Sequence, residues 1–169
     1  KTGTTNNSGI YISSGAAINA GTAGISASHA GNGNILLENK AAGIITAVTG
    51  MSAINTGTAT IKVANKGIIN STSAGISVAS TSTQTVNVDN SSGTISAFAG
   101  TGINVLTNAL LNLVGGTINV TNAANGLTFA GTNNHSLADL IINLGGTGLA
   151  FSKAANANLA LSHVTLNTA

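Results

Sequence analysis

The chain of 169 residues contains no cysteine. Disulfide bonds and thiolate metal sites are therefore excluded, and the fold has to be held together by packing and hydrogen bonds. Many long secreted bacterial fibres lack cysteine, because a disulfide formed early in the periplasm would obstruct their passage through an outer-membrane pore. We therefore interpret the absence of cysteine as favouring an exported protein.

Charge is scarce as well. Charged residues make up 5% of the chain, arginine is absent, and the net charge is only +2. This charge is too small for the basic stripe that follows a phosphate backbone, so we expect no nucleic-acid partner. Globular domains carry roughly 25% charged residues, and the surface here must consist of Asn, Thr, Ser, Gly and Ala instead. Such a surface is better suited to the stacking of repeats and to contact with another surface than to chemistry in solution.

Long apolar runs and proline are also missing. No uninterrupted apolar run approaches the ~18 residues of a membrane-spanning helix, and we expect no membrane insertion of this segment. Hydrophobic residues nevertheless make up 43% of the chain, which indicates a buried core. Without proline or an abrupt change in composition, no domain boundary is visible, and we predict a single unit over residues 1–169.

One short pattern, a glycine followed by isoleucine or leucine, one spacer residue and usually an apolar residue, recurs along the chain, and seven copies define the repeat. The copies begin at Gly9, Gly24, Gly43, Gly75, Gly102, Gly126 and Gly148. Recurrence at intervals of twenty-odd residues indicates one supersecondary unit that is stacked on itself. In the middle of the chain Ile61, Val86 and Leu111 follow one another at intervals of 25 residues.

Each repeat contains three short stretches of alternating apolar residues, closed by Gly, Asn, Ser or Thr. This pattern predicts an all-β fold, a right-handed single-stranded parallel β-helix with three faces and about 6–7 coils of roughly 22–27 residues. The right hand is expected because parallel crossovers have that hand. Helix is expected to be nearly absent. Residues 108–113 are the one stretch where a helix competes with a strand as the predicted structure. Loops are predicted at residues 50–53 and 132–135.

Alternation places every second side chain inside, in columns that run along the axis. Ile68 is also predicted to point inward, with Lys62 and Ser77 outward. The column that contains Phe129 is predicted to start at Ile12, Ala27 and Thr46, so that the core widens toward the C-terminus. The predicted core columns are Ile61, Val86 and Leu111; Val63, Val88 and Leu113; Ile76, Ile103 and Leu127; and Val78, Val105, Phe129 and Phe151.

Asparagines follow three strands at equivalent places, as Asn39, Asn65 and Asn90. Stacked asparagines can bond to one another through their amides, and asparagine tolerates the left-handed conformation of a tight corner. We interpret the three residues as a structural ladder and not as a ligand site.

Candidate catalytic groups are few. Glu38 and Asp89 occupy matching coil positions two turns apart. At about 4.8 Å per coil, their carboxyl groups would be separated by about 10 Å, close to the distance between the paired carboxyl groups of glycosidases. Residues 135–139 bring a Ser, a His and an Asp together, which we interpret as a solvated loop since triads converge from different elements. His29 and His163 stand alone, so we expect no metal site and no cofactor.

The segments 61–70 (IKVANKGIIN) and 86–95 (VNVDNSSGTI) resemble the passenger domains of autotransporters, the type V secreted proteins of Gram-negative bacteria. In that family a strand, an Asn-x-Gly turn and a Gly-Ile strand recur along a right-handed parallel β-helix. The resemblance extends roughly from Gly9 to Phe151. It implies that this chain is a fragment of a longer passenger, exposed at the cell surface or secreted.

The resemblance implies a non-catalytic role in adhesion, in self-association or as a structural stalk. The partners would be a host-cell surface, a glycan or another copy of the chain. Two alternatives stay open. One is a β-helix enzyme that acts on polysaccharide through Glu38 and Asp89. The other is an ice-binding solenoid, suggested by the threonines at 56–58 and 81–83, which would have to lie in register over many coils.

Overall fold

A computed structural model describes residues 8–81, 84–106, 109–122, 125–154 and 156–168. The chain is all-β, a parallel β-solenoid of about 6 turns, which confirms the predicted fold class. The strands are β1 (Ile10–Ser14), β2 (Ala17–His29), β3 (Ile35–Asn39), β4 (Ile44–Asn55), β5 (Ile61–Asn65), β6 (Ile68–Ser80), β7 (Thr85–Ala97), β8 (Thr101–Val105), β9 (Leu110–Val120), β10 (Asn125–Phe129), β11 (Asn134–Leu144), β12 (Phe151–Lys153), β13 (Asn158–Ser162) and β14 (Thr165–Thr168).

The strands pair in parallel along three ladders, which we call faces A, B and C. Several strands bend at a corner and contribute to two faces, and each segment of one coil on one face is called a rung. Face A contains residues 10–14, 35–39, 61–65, 85–89, 110–114, 134–138 and 158–162; face B contains 17–20, 44–47, 68–71, 94–97, 117–120, 141–144 and 165–168; face C contains 23–29, 49–55, 74–80, 101–105, 125–129 and 151–153.

The period of 25 residues is confirmed on face A, where Ile61 lies in register with Val86 and Val86 with Leu111. Parallel pairing satisfies the backbone N–H and C=O groups between coils. No helix occurs among the described residues, and residues 110–113 of the predicted competing stretch belong to β9. The described part of the chain accordingly has no helix that is long and apolar enough to cross a bilayer.

The interior is filled by columns of aliphatic side chains. Twelve of the predicted core residues are at most 1% exposed, and Phe151 is partly buried. Burying one such side chain is worth about 1.5–3 kcal/mol, so stacking coil on coil is favourable. The twelve are Ile61, Val63, Ile76, Val78, Val86, Val88, Ile103, Val105, Leu111, Leu113, Leu127 and Phe129.

The predicted composition of the last column was wrong at three places, namely Ile12, Phe151 and Thr46. Phe151 lies in register with Leu127 and belongs to the column of Ile76, while Lys153 follows Phe129. Ile12 lies on face A over Leu37. The column of Val78 instead begins with Ala27 and Ala53. The prediction failed because the Gly-Ile copies at 9 and 43 belong to different faces from the copy at 24.

Thr46 was also misplaced, since it points outward on face B next to Asn70. Ile68 is the outward residue of its rung with 43% of its surface exposed, and Ile69 is fully buried in its place. Two consecutive isoleucines have the same hydrophobicity, so alternation alone cannot choose between them.

Glycine in the recurring pattern is required by packing between faces B and C. A Cβ atom on Gly75 would collide with the γ2-methyl group of Ile95 and with the carbonyl oxygen of Gly102. The same relation joins five glycines to five isoleucines: Gly24 to Ile45, Gly50 to Ile69, Gly75 to Ile95, Gly102 to Ile118, and Gly126 to Ile142. In the last coil Leu166 replaces the isoleucine and Ala150 stands beside Gly126 in place of the glycine.

The loop predicted at residues 50–53 was wrong, and the one predicted at 132–135 was right only for residues 132 and 133. Residues 50–53 lie inside β4, and Met51 is fully buried in the column of Ile25 and Ile76. The Gly-Met pair is therefore another copy of the Gly-Ile pattern, with methionine filling the place of isoleucine. In the second segment β11 begins at Asn134, and His135 points inward with 2% exposed.

Candidate functional site

The three predicted ladder asparagines lie directly above one another at the corner between faces A and B. The Asn39 Nδ2 donates to Asn65 Oδ1 at 2.8 Å, and Asn65 Nδ2 donates to Asn90 Oδ1 at 2.7 Å. All three are fully buried. Asn39 Oδ1 has no hydrogen-bond partner among the described residues, and Ser14 occupies the same place in the preceding coil. The amide chain stabilises the corner from inside, as a structural ladder does.

The corner changes its construction in the C-terminal coils. Gly115 has φ 70°, Asp139 has φ 55° and His163 has φ 50°, so a left-handed residue makes the turn there. The neighbouring Leu140 is fully buried where the asparagines had lain. The exposed side chains of Asp139 and His163 approach each other to 3.3 Å.

The carboxylate of Glu38 is held in a small cluster on face A. It accepts hydrogen bonds from the Tyr11 and Ser13 hydroxyl groups, each at 3.0 Å, and lies 3.3 Å from Lys66 Nζ. The hydrogen bond from Tyr11, followed by those from Ser13 and Lys66, lowers the pKa of Glu38. The predicted position of Asp89 relative to Glu38 is confirmed, because Ala64 lies in register with both.

Asp89 is likewise held by a neighbouring hydroxyl group. The Ser91 hydroxyl donates to Asp89 Oδ1 at 2.7 Å, and this hydrogen bond lowers the pKa of Asp89. A glycosidase that uses two carboxyl groups needs one with a raised pKa as its general acid. The hydrogen bonds to Glu38 and Asp89 instead lower the pKa of both carboxyl groups.

The Ser, His and Asp of residues 135–139 are not assembled into a triad. His135 points into the core, where Nδ1 accepts from the backbone N–H of Leu111 at 3.1 Å and the ring stacks on Phe129 with centroids 4.3 Å apart. Ser136 points outward, and Asp139 contacts His163 instead. Burial lowers the pKa of His135. The predicted solvated loop was wrong because a buried imidazole was taken for a surface one.

The other histidine near the core, His29, is also buried. Its Nε2 accepts from the backbone N–H of Gly33 at 3.0 Å and so supports the turn after β2. No cluster of three potential metal ligands occurs in the described part of the chain.

Face B presents two regular outward columns that the sequence analysis missed. The first column is Ala17, Ile44, Ile68, Thr94, Thr117, Ile141 and Thr165; the second, which we call the amide column, is Asn19, Thr46, Asn70, Ser96, Asn119, Asn143 and Asn167. In the amide column Asn143 Nδ2 donates to Asn119 Oδ1 and Asn167 Nδ2 donates to Asn143 Oδ1, both at 2.7 Å. The repeated triplet Ile/Thr, Ile/Leu, Asn/Thr/Ser could have signalled this face.

The threonines that suggested ice binding lie elsewhere. Thr58 sits in the turn after β4, where its hydroxyl donates to Asn32 Oδ1 at 2.7 Å. Thr81 follows β6, and residues 82 and 83 lie outside the described part of the chain. Thr56, Thr58 and Thr81 do not belong to the outward columns of face B.

A groove of about 520 Å³ runs beside the amide column, at the corner between faces B and C. Its surface is mostly carbon, and Phe98 and Val48 at its edge are 60% and 42% exposed. The Thr121 hydroxyl fixes this corner by donating to the carbonyl of Phe98 at 3.1 Å. The groove is lined by Ala20, Thr46, Ala47, Val48, Asn70, Ser71, Thr72, Ser96, Ala97, Phe98, Asn119 and Thr121.

Comparison of the chain with protein-family models, with curated proteins and with solved structures finds no match.

Proposed function

We propose that this chain is a non-catalytic, surface-displayed segment of the autotransporter-passenger type that binds through face B and its groove. The binding would serve adhesion to a host-cell surface or a glycan, or association between copies of the chain. Its place would be the cell surface or the extracellular space of a Gram-negative bacterium. The proposal is carried by one observation, an uncharged lateral face bordered by an apolar groove.

The groove favours adhesion over a plain stalk. A stalk needs only a stable core and a polar surface, whereas Phe98 and Val48 expose apolar surface at one edge of a concave site. Concave sites lined by apolar groups with a few polar ones are typical of ligand binding. The low pKa values of Glu38 and Asp89 support a non-catalytic role, because neither group is poised to donate a proton.

Beads coated with the chain test this proposal on cultured epithelial cells. We expect the beads to adhere and Asn70→Trp, which places an indole in the groove, to reduce adhesion severalfold. Asn104→Trp is the matched control, since Asn104 is an outward residue of face C away from the groove. Clumping of the beads reports association between copies in the same experiment. Adhesion no greater than that of uncoated beads, with no clumping, would leave the stalk as the better explanation.

One observation favours an ice-binding solenoid as a second candidate. The first column of face B holds a β-branched residue in six consecutive rungs, from Ile44 to Thr165, at intervals of about 4.8 Å. An ice-binding protein would depress the freezing point of its solution below the melting point. Thr117→Lys should abolish such an effect, and the absence of any gap between freezing and melting in the unmodified chain would reject this candidate.

A further inference from the structure

We propose that the groove binds a neutral glycan chain that lies parallel to the solenoid axis. This inference rests on the proposed adhesive function and names the class of ligand. It follows from the charge of the groove, the hydrogen-bonding groups on one side, the apolar groups on the other, and the repeat along the axis.

None of the described residues that line the groove has an ionisable side chain. A charged ligand would lose part of its hydration there without gaining an opposite charge. The site therefore disfavours phosphates, acidic sugars and strongly charged peptides. A ligand made of hydroxyl groups and C–H surface meets no such penalty.

Hydrogen-bonding groups line the side of the groove formed by the amide column. Asn70 makes no side-chain hydrogen bond within the described part of the chain, whereas Asn119 is already bonded to Asn143. The neighbours of Asn70 in the column are Thr46 and Ser96. Its amide therefore offers both a donor and an acceptor to a ligand, the combination that pairs with sugar hydroxyls.

The opposite side of the groove carries the two large apolar side chains, Val48 and Phe98, together with Thr72 and Thr121. Phe98 exposes 60% of its surface at a corner whose backbone is fixed by Thr121. A sugar ring has a C–H face that packs on an aromatic ring while its hydroxyl groups point sideways. The amide column on one side and Phe98 on the other therefore match the two kinds of surface that each sugar unit carries.

The polar groups repeat along the axis. Thr46, Asn70, Ser96 and Asn119 belong to four consecutive rungs, which span about 14 Å at 4.8 Å per rung. A ligand that extends over several rungs gains contacts with each added unit. A hexasaccharide should therefore bind more tightly than the corresponding disaccharide.

The inference is tested by two-dimensional NMR of the ¹⁵N-labelled chain with cellohexaose, chitohexaose and maltohexaose as neutral probes and hexagalacturonate as the acidic probe. We expect at least one neutral hexasaccharide to shift the amide signals of Asn70, Ser96 and Phe98. Its disaccharide should bind about tenfold more weakly, and Phe98→Ala should weaken binding by about tenfold. Asn70→Trp should abolish it.

Leu106→Ala and Asn104→Trp are the controls, because Leu106 is an exposed apolar residue and Asn104 an outward polar residue away from the groove. Both should bind as the unmodified chain does. The inference is overturned if no neutral hexasaccharide shifts groove signals at millimolar concentration, if hexagalacturonate binds better, or if the disaccharide binds equally well. Concentration-dependent shifts at the groove without sugar would identify a second copy as the occupant. Adhesive beads without a glycan response would reject this inference and leave the proposed function standing.

Discussion

Replacing the middle asparagine of the ladder by its acid, Asn65→Asp, changes one hydrogen-bond donor into an acceptor at almost constant shape. The introduced carboxylate can still accept from Asn39 Nδ2, but it has no hydrogen for Asn90 Oδ1, which lies 2.7 Å away in the native chain. The substitution therefore brings two acceptor oxygens together in a fully buried place. Its cost arises from the loss of one bond and from the unsatisfied oxygen that remains.

The lost hydrogen bond is worth about 1 kcal/mol, and a buried unsatisfied acceptor costs about 1–3 kcal/mol, so we expect the free energy of unfolding to fall by about 3 kcal/mol at pH 7. With a urea dependence of about 2 kcal/mol per molar, the unfolding midpoint should fall by about 1.5 M. Urea titrations followed by far-UV circular dichroism measure this shift. Asn104→Asp is the control, since it adds the same charge at a partly exposed position.

The deficit should shrink in acid. Burial and the facing oxygen raise the pKa of the introduced carboxyl in the folded state above the value of about 3.9 in the unfolded chain. The folded state then binds the proton more tightly, so the lost stability returns as the pH falls through the folded pKa toward 4. The protonated group can also donate to Asn90 Oδ1. The reasoning is refuted if Asn65→Asp and Asn104→Asp have the same midpoint at pH 7, or if their difference does not narrow at pH 4.

Three further predictions concern stability. Gly75→Ala should cost about 1–3 kcal/mol through overpacking, whereas Gly21→Ala, whose added methyl group meets open space, should be nearly neutral; equal urea midpoints would contradict the packing argument. Ser14→Asn should add about 1 kcal/mol by donating to the unpartnered Asn39 Oδ1, and thermal unfolding below that of the native chain would count against it. Because burial lowers the pKa of His135, the unfolded chain binds more protons and stability should decline as the pH falls below about 6.5. His135→Leu should weaken that decline between pH 7 and pH 5, and an unchanged slope in urea titrations would refute it.

The sequence was sufficient to predict the class of fold because strand alternation and a constant period act locally. Ile61, Val86 and Leu111 lie in coils of equal length, so counting residues places them correctly. Matching motifs fails where a similar pair stands out of register. The Gly148-Leu149 pair lies 22 residues after Gly126, whereas Phe151 lies in register with Leu127, so Phe151 was assigned to the column of Phe129.

Residues that depart from the consensus were the other source of error. Met51 does not look like the isoleucine of the other copies, yet the glycine before it meets the same methyl group of the adjacent face. His135 is polar and was taken for a surface residue, although its imidazole fills a core position with one backbone hydrogen bond. The groove could not be predicted, because it arises where side chains from several coils meet at a corner.

The neutrality of face B has a consequence for the conditions under which the chain can act. Attraction between opposite charges weakens as salt is added, with a screening length of about 8 Å in physiological saline and about 3 Å at 1 M. The contact that we propose, made by amides, hydroxyls and an exposed phenylalanine, is not weakened by this screening. It would therefore hold equally well in fresh water, in tissue fluid and in brine.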